Sequence, residues 1–534
     1  MFSIVIVRRL FVMAASCSVL SWGAFAPALA APYTWSGGAS TSAPWTVDAT
    51  NWTGATGTPW DAANGPVNVA VFNSASGTAA VIDQVFTNGL TFSAANGLVT
   101  GGTVTLTGTG VLLNVSTGTS TLASTVTGSG FTKQGTGTLV LTASNTFGSG
   151  TMTFGAGSST NLGYITLSNG KALGNYSTIN LAGNNTAVAG LNLTGDITAN
   201  YALRLDGRTN NSSTYHLKNV SGNNTWAGNI TSVNTGGSYL FVSDSGTLTL
   251  SGTQNSTVTS SRGFVYSGAG AITITGPLLN GGTAGISVTK SGAGTLTLSG
   301  NNTYAQGTTV SGGTVRVMSN TGLGTGAVTV AGAGTVVLDG VTVSNTFTVN
   351  GGSLLGGSIT AARLVGTSSG TVSSTLTGTG GLTKSGTTRL ALTGTSTFTG
   401  TTLVSGGTLA LGNAVALQNS GFDTASTGVV QLAAGSSLTL GGVVGGGVFA
   451  PTGYSSITSL TLNAQPGSTF TYSGNLANGA AGMSLTKTGS SVALASAPGI
   501  QVLSGTSLYT GPTSITGGVL QFTKPSALYG GDRA

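Results

Sequence analysis

A phrase that returns at a fixed length constrains this chain more than any single residue. Thr289-Lys290-Ser291-Gly292 opens a stretch that closes on Gly312-Gly313. Thr383-Lys384-Ser385-Gly386 opens another that closes on Gly406-Gly407, and in both the glycine pair begins 23 residues after the threonine. The opening recurs as Thr132-Lys133-Gln134-Gly135 and Thr486-Lys487-Thr488-Gly489. In the last copy the pair comes at Gly517-Gly518, after an eight-residue insertion around APGIQVLS, and in the first it is degraded to Phe154–Gly157. A length held at 23 reads as one structural turn of fixed size, with insertion tolerated in a loop.

Inside the phrase the apolar residues alternate. Leu296 and Leu298 face one way and Thr295 and Thr297 the other; Val315 with Val317 and Leu409 with Leu411 repeat the pattern. The strands are four or five residues long, separated by Gly- and Asn-rich turns whose residues tolerate positive φ. With 90 Gly in 534 residues, no Glu and only 5% charged residues, helix formers are scarce and an all-β fold follows. One such unit cannot bury its apolar face alone, but stacked on a neighbour it can. The expectation is therefore a solenoid of three short strands per coil. At ~20–25 residues a coil, that makes on the order of twenty coils, and at ~4.8 Å per paired strand a rod approaching 100 Å. Buried Leu296, Leu298, Val310 and Val315 would form its core. The opening stretch holds Trp35, Trp45, Trp52 and Trp60. A sugar-stacking face is one reading of them; an aromatic cap over the open first coil is the favoured one.

These residues resemble a known family. KSGAGTLTLSGNNTYAQGTTVSGGTVRV is similar to the autotransporter-associated β-strand repeat, clearest at 130–154, 287–317, 381–411 and 484–522, with related phrases at Gly222–Ile230 and Ser245–Gly252. The resemblance implies a right-handed parallel β-helix, a passenger exported from a bacterium and displayed at its surface, and an outer-membrane translocator barrel. No series of alternating ~10-residue barrel segments follows Gly412, so the translocator is expected on a missing C-terminal part or a separate chain. The organisation expected is a leader over 1–30, cap and first coils over 31–100 and β-helix over 101–534.

The leader reading rests on Arg8 and Arg9, the apolar run Leu10 to Leu20 and the small-x-small site Ala28-Leu29-Ala30, which predict a mature start at Ala31. Twin-arginine and lipoprotein readings, the latter at Cys17, fit less well. Cys17 is the single cysteine, so the mature chain has no disulfide or thiolate chemistry.

Chemistry is sparse. Arg204, Asp206 and Arg208 alternate near His216 and could form a small acid–base site. A lone Asp offers no second carboxylate for a glycosidase pair, and a surface ion pair is the plainer reading. Calcium-roll, phosphate-loop and cysteine-metal patterns are all incomplete, so no catalytic, cofactor or metal residue is assigned. The Asn-x-Ser/Thr triplets read as turn residues, and the lysines of the opening as exposed charges that keep sheet surfaces unpaired. No basic stripe points to nucleic acid. The expected function is non-enzymatic: an adhesion or surface-coat protein at the cell surface or outside the cell, or alternatively in the periplasm, with cell-surface glycans or matrix ligands as partners. The alternatives are a β-helical polysaccharide lyase or hydrolase with its site near Asp206, and a string of β-sandwich domains.

Overall fold

The structure, a computed structural model, describes residues 32–35, 44–46, 51–54, 60, 68–73, 78–155, 162–182, 189–206, 214–233, 237–283, 285–360, 363–489 and 497–528. The expected leader with its expected cleavage site, Ala31, and Arg208 lie outside the described residues.

Short strands stack into a parallel β-solenoid of about 19 turns. One path through it shows the period: Val288 pairs with Thr308, Thr308 with Val328, and Val328 with Phe347. Each step is about twenty residues, the short end of the expected range. Every pairing between described strands is parallel except one at the N-terminal end, which excludes a string of antiparallel sandwiches. The alternation expected from the sequence is realised strand by strand. In Thr295–Leu298 and Thr314–Val317 the hydrophobic residues point inward and the Thr and Arg residues outward. Leu296, Leu298, Val310 and Val315 are completely buried, each worth roughly 1.5–3 kcal/mol relative to exposure.

A coil has three sides. Two carry strands almost throughout, and at one corner they merge: Val328–Leu338 runs unbroken from one side to the next, with a bulge between Gly332 and Thr335. The third side is a strand in some coils, such as Ala202–Asp206 or Ser358–Ile359, and elsewhere a loop around an aromatic residue. The expected three strands per coil is therefore met only in part.

The repeated phrase is not fixed to one side. Its second strand in the first copy, Thr138–Leu141, leads by successive pairing through Tyr164–Leu167, Gly190–Leu193, Leu217–Asn219, Ser238–Ser243 and Arg262–Ser267 to Ile286–Lys290. That last strand is the first strand of the second copy, so the phrase has rotated by one side. The insertion in the last copy is also placed differently from the expectation. Ile500–Leu503 is a regular strand between Thr469–Tyr472 and Val519–Phe522, so the added residues fall before it, between Gly489 and Ile500.

The N-terminal end is closed. Trp45 and Trp60 are completely buried, Trp35 and Trp52 nearly so. Their rings meet at 4.8 Å (Trp35–Trp52), 5.0 Å (Trp45–Trp52) and 5.2 Å (Trp52–Trp60). Trp52–Gly54 runs antiparallel along Pro32–Trp35, whose other edge pairs with Val69–Phe72. The indoles fill the end of the core and leave no face for a sugar.

Leu298→Asp places an unpaired carboxylate in this core. Its expected cost exceeds about 3 kcal/mol. Thermal unfolding followed by circular dichroism checks this; an unchanged transition contradicts the assignment of Leu298 to the interior.

Candidate functional site

The lysine of the repeated opening is the chain's most distinctive side chain, and it is inside. Lys133, Lys384 and Lys487 are completely buried and Lys290 nearly so. This overturns the expectation of exposed charges. In the strand Ile286–Lys290 the inward positions are Ile286, Val288 and Lys290, so the alternation that buries the aliphatics buries the lysine with them. Its ammonium finds only carbonyls. Lys290 Nζ donates to Ser291 O at 2.6 Å and Gly292 O at 2.8 Å in its own turn, and to Gly312 O at 3.3 Å in the next coil. Lys133 Nζ donates to Gln134 O, Gly135 O and Leu162 O at 2.7, 2.9 and 3.0 Å. Lys384 bonds Ser385 O, and Gly386 O and Gly406 O at 3.3 Å; Lys487 bonds Thr488 O, and Gly517 O at 3.4 Å. Burial pulls Lys133 down to about 7 and Lys290 to about 8, and lowers Lys384 and Lys487 as well.

This contact explains the fixed length. The lysine reaches the carbonyl of the first glycine of the closing pair, and the second glycine makes room for it. Gly313 has φ of +60°, and a Cβ there would stand 2.5 Å from Gly292 O and 2.7 Å from Lys290 Nζ. Gly407 and Gly518 repeat the positive φ and the close approach to Lys384 and Lys487. In the first copy this place is taken by Leu162 and Gly163, the latter at φ +64°, and not by the degraded Phe154–Gly157.

A second interior group was not legible as such. Asn302, nearly buried, accepts from Leu278 N–H at 2.9 Å in the coil before and donates to Gly322 O at 2.7 Å in the coil after. Asn145 does the same between Val126 N–H and Ala172 O, at 2.8 and 2.7 Å. Asn224 accepts from Ile197 N–H at 2.8 Å, and Asn345 donates to Gly324 O and Gly326 O. Each stands two residues before a buried aromatic: Tyr304, Phe147, Trp226 and Phe347. The signal was the recurring Asn-Thr-aromatic triplet, passed over as turn composition.

The described members of the acid–base candidate are divided between an outer strand and the core. Arg204 and Asp206 lie on the outer face of Ala202–Asp206, Arg204 exposed and Asp206 half-buried. His216 is buried, with its Nδ1 accepting from Leu240 N–H at 3.2 Å and its ring edge-on to Tyr239 at 5.1 Å. Tyr239, pushed up to about 12 by burial, shares a side-chain hydrogen bond with the buried Arg262. The histidine thus packs in the core against Tyr239, on which the Asp206 carboxylate also acts. Among the described residues no three His, Cys, Asp or Glu side chains gather as metal ligands. A cleft of about 180 Å³, lined by residues such as Phe422, Val429, Val448 and Pro451, includes no acid or base in its lining. Of the sixteen bases in the sequence, four lysines and Arg262 are buried among the described residues.

One family model matches the chain: the passenger-associated-transport-repeat, at residues 131–158, 288–317, 382–411 and 498–522. The fourth match begins after the insertion, in agreement with the strand at Ile500–Leu503. No curated protein and no solved structure is found to match the chain.

Two outcomes follow from the lysine corner. Gly312→Ala is expected to be tolerated, because its Cβ would meet nothing closer than 3.5 Å. Gly313→Ala should cost about 1–3 kcal/mol through its positive φ and the crowded ammonium, so the two unfolding midpoints must separate. The second concerns pH. The folded lysines titrate below their ordinary value near 10.5, so between about pH 7 and about pH 10 the unfolded chain holds more protons and stability rises with pH. Melting scans across that range should show the rise, smaller in Lys133→Met.

Proposed function

We propose that this chain, a parallel β-solenoid carrying four passenger-associated-transport-repeats, is an exported, non-enzymatic bacterial passenger that serves as a surface adhesin or coat. The observation that carries the reading is how the repeats are built. The matched stretches are structural units of the rod, and the charged side chain that recurs with them, the lysine of the opening, is consumed in joining one coil to the next, while Arg316 and Arg389 stand outside. The chemistry that recurs is structural. Passenger repeats imply export, the mature chain would begin at Ala31, and an outer-membrane translocator is the partner that such export requires.

A surface of threonine, serine and asparagine with few exposed charges suits cell-surface glycans or matrix components, which are bound through many weak polar contacts and without a single deep pocket. The burial of five bases also disfavours nucleic acid, whose affinity depends on concentrated positive charge.

Intact cells producing the full chain test the reading. Protease added outside should remove the protein, and the N-terminus of mature material should be Ala31. Protein that stays protected in the cytosol with Met1 intact contradicts export. Purified protein should leave acidic and neutral polysaccharides uncleaved, and Asp206→Ala should change nothing. Turnover that disappears in Asp206→Ala would instead establish a carbohydrate-active enzyme.

A further inference from the structure

One side of the rod presents an unbroken outward column of β-branched residues and leucine. It runs for nine coils from Leu240 to Leu403, through Thr289, Thr309, Thr329 and Thr348, with each member the register partner of the next. All nine are half-buried or exposed on the outer face, and none is charged. The flanking positions are mostly small, as at Gly263, Ser267 and Ser287; Arg363 holds the one charged flanking position. On the adjoining side the outward column is interrupted within the same coils by Arg316, which pairs with Asp339 at 2.7 Å.

We propose that this face is where a second copy of this chain packs, side by side and antiparallel. Three features of the face select that occupant. It has one spacing along its whole length, so two copies match each other step for step. It has no charge along the column, so two identical faces meet without repulsion.

Its ends are complementary. Lys218, the partner of Val242, lies one coil before Leu240. Asp423 lies one coil beyond Leu403, next to Phe422, the partner of Thr402. A twofold axis through Thr329, the middle of the nine, brings Lys218 of each copy to the level of the other's Asp423, offset by two residues, about 7 Å, along the strand and within reach of a lysine side chain. Such an axis makes the interface isologous. Lys218 is already held by Asp244 at 2.6 Å, so the second copy's Asp423 would extend an existing pair.

The size is adequate. Eight steps of ~4.8 Å by three outward positions give about 800 Å² per copy, the size of a standard stable interface. The pairing rests on this face alone and stands whether or not the chain is exported.

Analytical ultracentrifugation of the purified full chain tests it. The wild type should be a dimer in the micromolar range. Thr329→Arg sets two arginines against each other at the axis and should weaken the dimer at least about tenfold, and Asp423→Lys should weaken it too. Thr249→Arg, an outward change on another side, should leave it unaltered. Thr329 points away from the core, so circular dichroism should show an intact fold; if Thr329→Arg does not fold, Asp423→Lys decides alone. A wild type that stays monomeric at high concentration, a dimer indifferent to both Thr329→Arg and Asp423→Lys, or one equally lost in Thr249→Arg overturns the proposal.

Discussion

The hydrogen bonds between successive coils hold this molecule, and its corners are where they are hardest to complete. Along a strand each backbone group finds its partner one coil up or down. At a corner the chain turns through glycines of positive φ and leaves carbonyls aimed at the interior, where water does not reach. A buried carbonyl without a donor costs about 1–3 kcal/mol. Lys290 answers three of them at once, two in its own turn and one in the next coil. Asn302 answers a different corner with one acceptor and one donor, and so ties three coils together. These lysine and asparagine side chains are buried in an apolar core because the backbone needs them.

The same need explains which parts of the fold were legible. Alternation of Thr and Leu showed the strands, the inward set and the stacking, because a period of two has one structural meaning beside glycine turns. The tryptophans showed the cap, since four large rings clustered at the start of a solenoid have an open end to fill. The lysines were misread because a charge is ordinarily a sign of solvent. The correct reading was present in Ile286, Val288 and Lys290, three residues at alternate positions on one face. A glycine pair is not the mark of the closing turn, since the first copy closes on Leu162 and Gly163. The working feature is one glycine at positive φ before an alternating strand, and Gly163 before Tyr164–Leu167 has it. His216 and Asp206 are near in sequence, but the coil turns one to the core and the other to an outer face, and that difference in facing leaves no trace in their spacing.

Spending the bases inside changes the outside. A formal excess of positive charge suggests a surface that attracts acidic partners, but five of the sixteen bases, four lysines and Arg262, are buried and present no ammonium or guanidinium to a partner. What remains outside is a lattice of hydroxyls and amides with isolated ion pairs. Such a surface offers few exposed charges with which to steer an encounter.

Rotation of the phrase from one side to another shows what selection has to preserve. The lysine, its turn and the following glycine form the same corner in the first copy as in the second, although the strands that carry them belong to different sides of the coil. A corner is defined by its own carbonyls and by one glycine in the next coil, and neither depends on which side comes first. Residues inserted between corners therefore change the phase of the next copy without disturbing the stack, as the added residues before Ile500 do without breaking the pairing of Ile500–Leu503. The two quantities such a chain can vary freely are its length and the sequence of its outward positions. The inward positions and the corners are held by packing and by the carbonyls, so differences in what the rod contacts have to be written on its outer faces.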